Sequence, residues 1–261
     1  MPSKRSDRAS NISRPCYWLR PGTNLPVMKA ALPTGADKQT AVRHMFDAIA
    51  ERYELVNGIV AMGLDTDWRR RCIEALELPP GSLVLDVACG TGDLCRGLAR
   101  AGYQRVGVDL SPGMLSHART TAPLVLGDAL HAPFRPDCFD GVVSGFALRN
   151  VVDLASLFSE LARLTRPGGR ISLLDLGTPE APLLRAGHRI WCDYGVPLVG
   201  SVLSDGAAYR YLPRSFAYLP PADEMVHLLE QAGFQAVQHS LLSGGISQLY
   251  IATRGARSGP S

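Results

Sequence analysis

The stretch Leu83-Val84-Leu85-Asp86-Val87-Ala88-Cys89-Gly90-Thr91-Gly92-Asp93-Leu94 sets an acid in an apolar run, then small residues and two glycines, then helix formers. Read as strand, tight turn and helix, it leaves unpaired N–H groups at the helix start, where a polar or anionic ligand group binds. Glycine suits the turn because a residue without a Cβ lets the backbone bend sharply and touch a ligand. About 20 residues beyond the glycines, Asp109 ends the run Arg105-Val106-Gly107-Val108 and can accept both hydroxyls of a ribose. Asp128 ends a third run and can accept from an adenine amino group, with the Ala129 N–H near the ring. Thr91 in the turn and Ser144 at the end of a fourth run add hydroxyls, so these residues together can cradle a nucleoside. They do not spell a dinucleotide fingerprint: G-x-G-x-x-G begun at Gly90 puts Cys95 in the third glycine position, and begun at Ala88 it puts Asp93 there.

The elements that must position these groups alternate. Strands begin at Leu83, Gln104 and Pro123, each expected to open a βα unit, with helix formers from Leu94 and a Ser111-Pro112 start for the second helix. A fourth strand, Asp140 to Ser144, leads into Phe146-Ala147-Leu148-Arg149-Asn150. Asp153 caps an amphipathic helix with Leu154, Leu157, Phe158, Leu161 and Leu164 inward, Pro167-Gly168-Gly169 makes a turn, and Ile171 to Leu176 forms a fifth strand. After a last helix from Ala222 to Ala232, strands Ala236 to Leu242 and Gln248 to Thr253 close the sheet. The pattern predicts an α/β fold: a Rossmann-like, doubly wound, mostly parallel seven-stranded sheet with flanking helices and ligands over the strand ends. Upstream, Val42, Met45, Phe46, Ile49, Ala50 and Tyr53 share one face of a helix over 40–55, and a second helix covers 68–76. Residues 1–36 read as a disordered basic tail, with Met28 an alternative start, and 255–261 as a second disordered tail. Residues 37–254 form one domain, in which 177–220, apolar yet studded with Pro, Gly, Tyr and Arg, suit a lid over the site.

Composition narrows the classes. With 46% hydrophobic and 20% charged residues the chain is ordinary for a folded soluble domain. Residues 1–35 carry a net of +5; set against +3 for the whole chain, that leaves −2 for the folded part and argues against nucleic acid. The six cysteines (16, 72, 89, 95, 138 and 192) include no C-x-x-C pair and the histidines are dispersed, so no metal site and reduced, cytoplasmic thiols are expected. No apolar run nears the roughly 20 residues that span a bilayer, which leaves at most a peripheral membrane contact.

The acid-x-x-x-G-x-G pattern from Asp86 to Gly92 resembles motif I of the class I S-adenosylmethionine-dependent methyltransferases. Over about residues 42–254 the chain is similar to the C-methyltransferases of ubiquinone and menaquinone biosynthesis. The segments that carry this are Phe46-Asp47-Ala48-Ile49-Ala50 with Tyr53 and Asn57, Gly90-Thr91-Gly92-Asp93-Leu94, Phe146-Ala147-Leu148-Arg149-Asn150-Val151, Arg166-Pro167-Gly168-Gly169-Arg170, and Ala208-Tyr209-Arg210-Tyr211-Leu212. The Arg149-Asn150 pair and the Tyr209 to Leu212 segment are the more specific. The chain departs from the family's pattern in having Tyr53-Glu54-Leu55-Val56-Asn57 for Tyr-Asp-x-Met-Asn, Asp65 for a His before Trp68, and Asp175-Leu176-Gly177 for Glu-x-Ser. The resemblance implies S-adenosylmethionine held by Gly90, Thr91, Asp109, Asp128, Ala129 and Ser144, and a prenylated quinol as methyl acceptor. Demethylmenaquinol is the leading acceptor, with the benzoquinol precursor of ubiquinone or another phenolic or lipid molecule as alternatives, and a homodimer is compatible with it.

Methylation at a ring carbon requires the neighbouring hydroxyl, with a pKa of about 10 by analogy with tyrosine, to ionise. Arg149, after the fourth strand, can stabilise that phenolate by charge, though a guanidinium does not itself take the proton. Tyr209 and Tyr211 can orient the ring or pack, and His188 and Asp193 in the lid are further base candidates. The run from Ala181 to Leu203 can admit an isoprenoid tail, and Trp191 with Arg185 and Arg189 suits a membrane surface.

Overall fold

A computed structural model of the chain describes residues 35–203, 215 and 218–256. The expected N-terminal tail, Tyr209 and Tyr211 lie outside the described residues. Seven strands, β1 (Leu83–Val87), β2 (Gln104–Asp109), β3 (Leu124–Leu126), β4 (Phe139–Gly145), β5 (Thr165–Leu176), β6 (Phe234–Leu242) and β7 (Ser247–Arg254), form one sheet in the order β3-β2-β1-β4-β5-β7-β6. The first five are parallel and β7 runs antiparallel between β5 and β6, the doubly wound sheet that the alternation predicts. Strand order reverses at β1 and β4, which pair through Val84↔Gly141 to Val87↔Ser144. Their following loops therefore part to opposite sides and open a crevice over the carboxyl ends.

Helices cover both faces. Against one lie α6 (Leu154–Leu164) and α9 (Ala222–Gln231), packing Leu157, Phe158, Leu161, Met225 and Leu229 on Leu85, Val87, Val142 and Ile171. Against the other lie α3 (Leu64–Glu74) and α4 (Asp93–Arg100), with Trp68, Cys72, Leu94 and Leu98 on Val84, Val143 and Leu174. Successive strand residues point to opposite faces, so neighbours such as Val84 and Leu85 serve different cores, and a continuous apolar run is what such a strand requires. The predicted caps are formed: Asp153 accepts from the Ser156 N–H at 3.0 Å, and Ser111 Oγ from the Met114 N–H at 3.0 Å ahead of Pro112 at the start of α5 (Pro112–Ser116).

The elements depart from the sequence reading in four places. The single helix over 40–55 is α1 (Gly35–Ile49), a 3-10 turn and α2 (Tyr53–Val60), with α1 taking in two residues ahead of the predicted domain start. After β3 a loop runs to β4 with no helix, because Gly127, Pro133 and Pro136 interrupt any helical run. Pro167-Gly168-Gly169 is not a turn before β5 but an irregularity inside it, where the register shifts between Phe139 and Gly141 and Gly168 holds φ at +79°. The described part of the predicted lid is helical: α7 (Pro182–Ile190), a π-helical turn (Trp191–Gly195) and α8 (Val196–Leu203). Among the described residues no helix is long and apolar enough to cross a membrane.

Candidate active site

Backbone strain marks the switch point. Ala88 and Phe146, the residues that follow β1 and β4, both hold positive φ, +55° and +61°. Neither is glycine, so the surrounding structure imposes these conformations, a pattern that concentrates at functional sites. Gly92 adopts φ +88°, and a Cβ there would lie 2.7 Å from Thr120 Cγ2, so the glycine is required both for the turn and for the approach of the next loop.

Over β1 and β2 lies a cleft of about 840 Å³ including its open mouth, walled by Ala88, Gly90, Asp109, Asp128, Ala129 and, from α1, Gln39, Val42 and Phe46. Four of the predicted site residues meet here. Asp109 Oδ2 accepts from the Gly90 N–H and Oδ1 from the Ser111 N–H, both at 2.8 Å. The carboxylate is thus fixed at the cleft wall, and burial holds its pKa above the usual value. Asp128 accepts from Leu130 N–H at 3.0 Å and from Gln39 Nε2 at 2.8 Å, which ties α1 down over the cleft. Asp47 on α1 adds a second tie, accepting from Ser111 Oγ at 2.5 Å and from the Gly113 N–H at 2.9 Å.

Behind the glycine turn is a smaller recess walled by Tyr53, Arg69, Asp86, Gly90, Thr91 and Asp93. Two of its buried polar atoms, Asp86 Oδ1 and Thr91 Oγ1, have no partner among the described residues. Asp86 Oδ2 accepts from the Cys95 N–H at 3.1 Å, and burial pushes its pKa up to about 7. A carboxylate oxygen and a hydroxyl left without partners suit a ligand that brings its own ammonium and carboxylate, since orphaned buried polar groups are costly. The carboxylates expected to accept from ribose and adenine and the recess with its unpaired polar atoms therefore follow one another across the strand ends, and the residues present fit S-adenosylmethionine. Ser144 does not join them: its hydroxyl is buried, donates to the Val87 carbonyl at 2.8 Å, and lies outside the walls of these cavities. A strand-end hydroxyl in sequence gives no sign of whether it faces the ligand or its neighbouring strand.

A second cavity, about 1670 Å³ on the same count, adjoins the cleft through two shared wall residues, Tyr53 and Phe146. Its lining is mostly apolar and comes largely from α2, α3, α7 and the turns that adjoin them, including Val60, Met62, Leu64, Trp68, Leu184 and Trp191. Polar groups are few: Tyr53, Asn57, Asp65, Arg69, Arg149 and His188. Arg69 ion-pairs with Asp65 on this side and, at 3.1 Å, with Asp93 on the recess side, and lies 5.1 Å from the Phe146 ring centroid. Burial raises the Tyr53 pKa, with the positive charges of Arg69 and Arg149 opposing. Arg149 is 6% exposed in the turn Leu148–Asn150. It pairs with the fully buried Asp175 of β5, donates to the Phe146 carbonyl at 2.7 Å, and keeps one buried N–H, at Nε, without a partner among the described residues. Asp193 does not reach the cavity and pairs at the surface with Arg189 at 3.5 Å.

Sequence reasoning missed the parts played by Tyr53, Arg69, Asp86 and Asp175. Asp175 lies 26 positions from Arg149, and only the pairing of β4 with β5 brings them together. A signal did exist for Asp86, an acid within an otherwise apolar strand, where an unpaired charge would be costly.

The sheet order and the crevice at its switch point are those of a class I S-adenosylmethionine-dependent methyltransferase. The model of the ubiE/COQ5 methyltransferase family matches residues 34–254, and the chain belongs to that family. It is 38% identical over 228 residues to a demethylmenaquinone methyltransferase of Roseiflexus castenholzii, covering 84% of this chain and 95% of that one. It is 37% identical to the ubiquinone/menaquinone biosynthesis C-methyltransferase UbiE of Syntrophotalea carbinolica, over 81% and 93% of the two chains. Among solved structures, a phosphoethanolamine N-methyltransferase of Haemonchus contortus with S-adenosylmethionine bound superposes with TM-score 0.56 at 17% identity over 73% of this chain and 53% of its own. The [4+2]-cyclase SpnF reaches 0.61 at 16% identity over 87% and 100%. A cyclase among the neighbours shows why the fold alone does not give the reaction.

Proposed function

We propose that this enzyme C-methylates a prenylated quinol, demethylmenaquinol, on its way to menaquinol. The observation that carries the proposal is the large apolar cavity that meets the cofactor cleft at Tyr53 and Phe146. Its few polar groups suit an aromatic head with a hydroxyl, and its greasy walls suit an isoprenoid tail. S-adenosylmethionine, held by Gly90, Thr91, Asp86, Asp109, Asp128 and Ala129, supplies an electrophilic methyl group. The chain itself must hold donor and acceptor at reacting distance, about 3–3.5 Å, and favour the ionised quinol. Arg149 favours that ionised form. Its charge is largely offset by Asp175, so what it offers a developing phenolate is a partly neutralised guanidinium rather than a free cation.

A bilayer surface is the natural source of such a substrate. Large apolar residues exposed beside the cavity include Met62 and Leu183, at 61% and 88%, with Ile190, Tyr194 and Leu198 nearby in sequence on α7, the π turn and α8. Arg185 and Arg189 on α7 match anionic headgroups. Purified enzyme given S-adenosylmethionine and reduced demethylmenaquinone should yield a quinone one methyl group heavier, read by mass spectrometry. Methylation of the ubiquinone-type benzoquinol alone would move the assignment to that substrate, and methylation of neither would overturn it.

A further inference from the structure

A further recess, open and of about 860 Å³ on the same count, shares no wall residue with the cleft, the acceptor cavity or the pocket behind the glycine turn. It is walled by α4, the start of β2 and the loop between α5 and β3. Four arginines stand in that wall, Arg96, Arg100, Arg105 and Arg119, with Thr120 and Thr121 and no carboxylate. We infer that this recess binds a small phosphate-bearing anion and that its occupancy is coupled to the donor site.

Guanidiniums around one concavity repel one another, and an anion between them removes that cost. Arg96 is committed to the protein: it pairs with Asp93 and, at 3.1 Å, with Glu54, and donates to the Thr91 and Arg119 carbonyls at 3.2 and 3.3 Å. The other three are not balanced in this way. Arg100, exposed in the last turn of α4, has no ion pair among the described residues. A helix C-terminus favours a cation, which accounts for Arg100 alone. Arg105 donates from Nη2 to Thr121 Oγ1 at 2.7 Å, and its Nε is buried without a partner among the described residues. Arg119, with its side chain 73% exposed, lies 3.5 Å from Glu54, which Arg96 already holds. Planar guanidinium forks match phosphate oxygens. The wall has no aromatic ring to stack a base, and among the described residues no large apolar side chain is exposed on α4 or the loop, so neither single-stranded nucleic acid nor a lipid surface fits.

The arginine-bearing loop also abuts the glycine turn. The Arg119 N–H donates to the Thr91 carbonyl at 3.0 Å, Arg96 donates to the same carbonyl, and Thr120 packs on Gly92 where a Cβ would not fit. Thr91 thus presents its carbonyl to this loop and its side chain to the pocket behind the glycine turn. An anion that fixes Arg119 fixes the residue bonded to it, so the donor meets a turn already ordered and binds more tightly. Linkage makes the effect reciprocal.

The test is calorimetric titration of the full-length protein with inorganic pyrophosphate and, in parallel, glycerol 3-phosphate, each with S-adenosylmethionine saturating so that the cofactor cleft is occupied. Wild type should bind at one site, more weakly as salt rises; the tighter of the two probes tells an inorganic from an esterified phosphate, and either supports the site. Arg100→Ala and Arg119→Ala, both at exposed positions, should each weaken binding about ten-fold. Thr121→Glu supplies a carboxylate from the wall, beside Arg105, and should abolish binding while raising the melting temperature of the ligand-free protein. No binding by wild type, equal binding by all the variants, or binding seen only when S-adenosylmethionine is left out would overturn the site. For the coupling, the tighter probe should lower the Kd for S-adenosylmethionine by about two- to five-fold, and an unchanged Kd would overturn that part.

Discussion

The cofactor cleft and the acceptor cavity share Tyr53 and Phe146 but are built differently. The cleft is made of strand ends and their loops, with carboxylates anchored by backbone N–H groups, as Asp109 is by Gly90 and Ser111. The cavity is walled largely by α2, α3, α7 and the turns beside them, with Phe146, Arg149 and Leu176 from the sheet side, and polar contacts at its edge include the ion pairs Arg149–Asp175 and Arg69–Asp65. A wall of hydrogen-bonded backbone specifies one ligand shape. A wall of packed apolar side chains accepts a class of shapes.

Substitutions on each side test that contrast. Arg149→Met should lower kcat by about 10²–10³, the usual cost of losing one preorganised contact, with the Kd for S-adenosylmethionine nearly unchanged. It should also cost about 3–5 kcal/mol of stability by stranding the buried Asp175 carboxylate. The double variant Arg149→Met/Asp175→Asn should recover the melting temperature but not the rate, and a recovered rate would make Arg149 purely structural. Arg149→Lys should restore only part, since a point charge does not reproduce the guanidinium fork.

On the donor side, Asp86 is held protonated in the native state up to about pH 7, against an ordinary value of 3.8. A raised carboxyl pKa means the folded protein binds the proton more tightly than the unfolded chain. The stability this gives is therefore full below about pH 4 and lost as pH rises to about 7, by up to about 4 kcal/mol. Asp86→Asn should flatten the melting temperature of the ligand-free protein across that window; an unchanged slope would show that the proton sits elsewhere. Asp109→Ala should weaken S-adenosylmethionine by about 1–3 kcal/mol in calorimetric titration and leave the binding of a short-tailed quinol alone. Should both ligands weaken together, the two sites are not separate. The smallest effect is expected from Ile190→Glu/Leu198→Glu, both outside the cavity wall. This variant should lose several-fold in sedimentation with anionic vesicles while turning over a short-tailed quinol normally.

The same contrast governs what the sequence disclosed. Strands, caps and the acids at strand ends are local: each is fixed by an apolar run and the residue that ends it, so Asp109 and Asp128 could be placed from the sequence. Ser144 could not, because its partner is a carbonyl on the neighbouring strand. Nor could the Arg149–Asp175 pair, which exists only once β4 and β5 are in register. The π turn was hidden for another reason: Trp191 to Gly195 has no distinctive composition, and its geometry comes from the packing of Trp191 on α2.

The ties that run from α1 have a kinetic meaning. Gln39 and Asp47 fasten that helix to the loops after β3 and β2, and the buried Lys38 donates to the Val151 carbonyl at 2.8 Å and sits 3.7 Å from the Tyr218 ring centroid. If the contents of the cleft leave by lifting this helix, each cycle ends with the breaking of several hydrogen bonds rather than with chemistry. A fast first turnover followed by a slower steady rate would be the signature of that departure step, and loosening the latch at Lys38 should raise the steady rate while leaving the first turnover as it was.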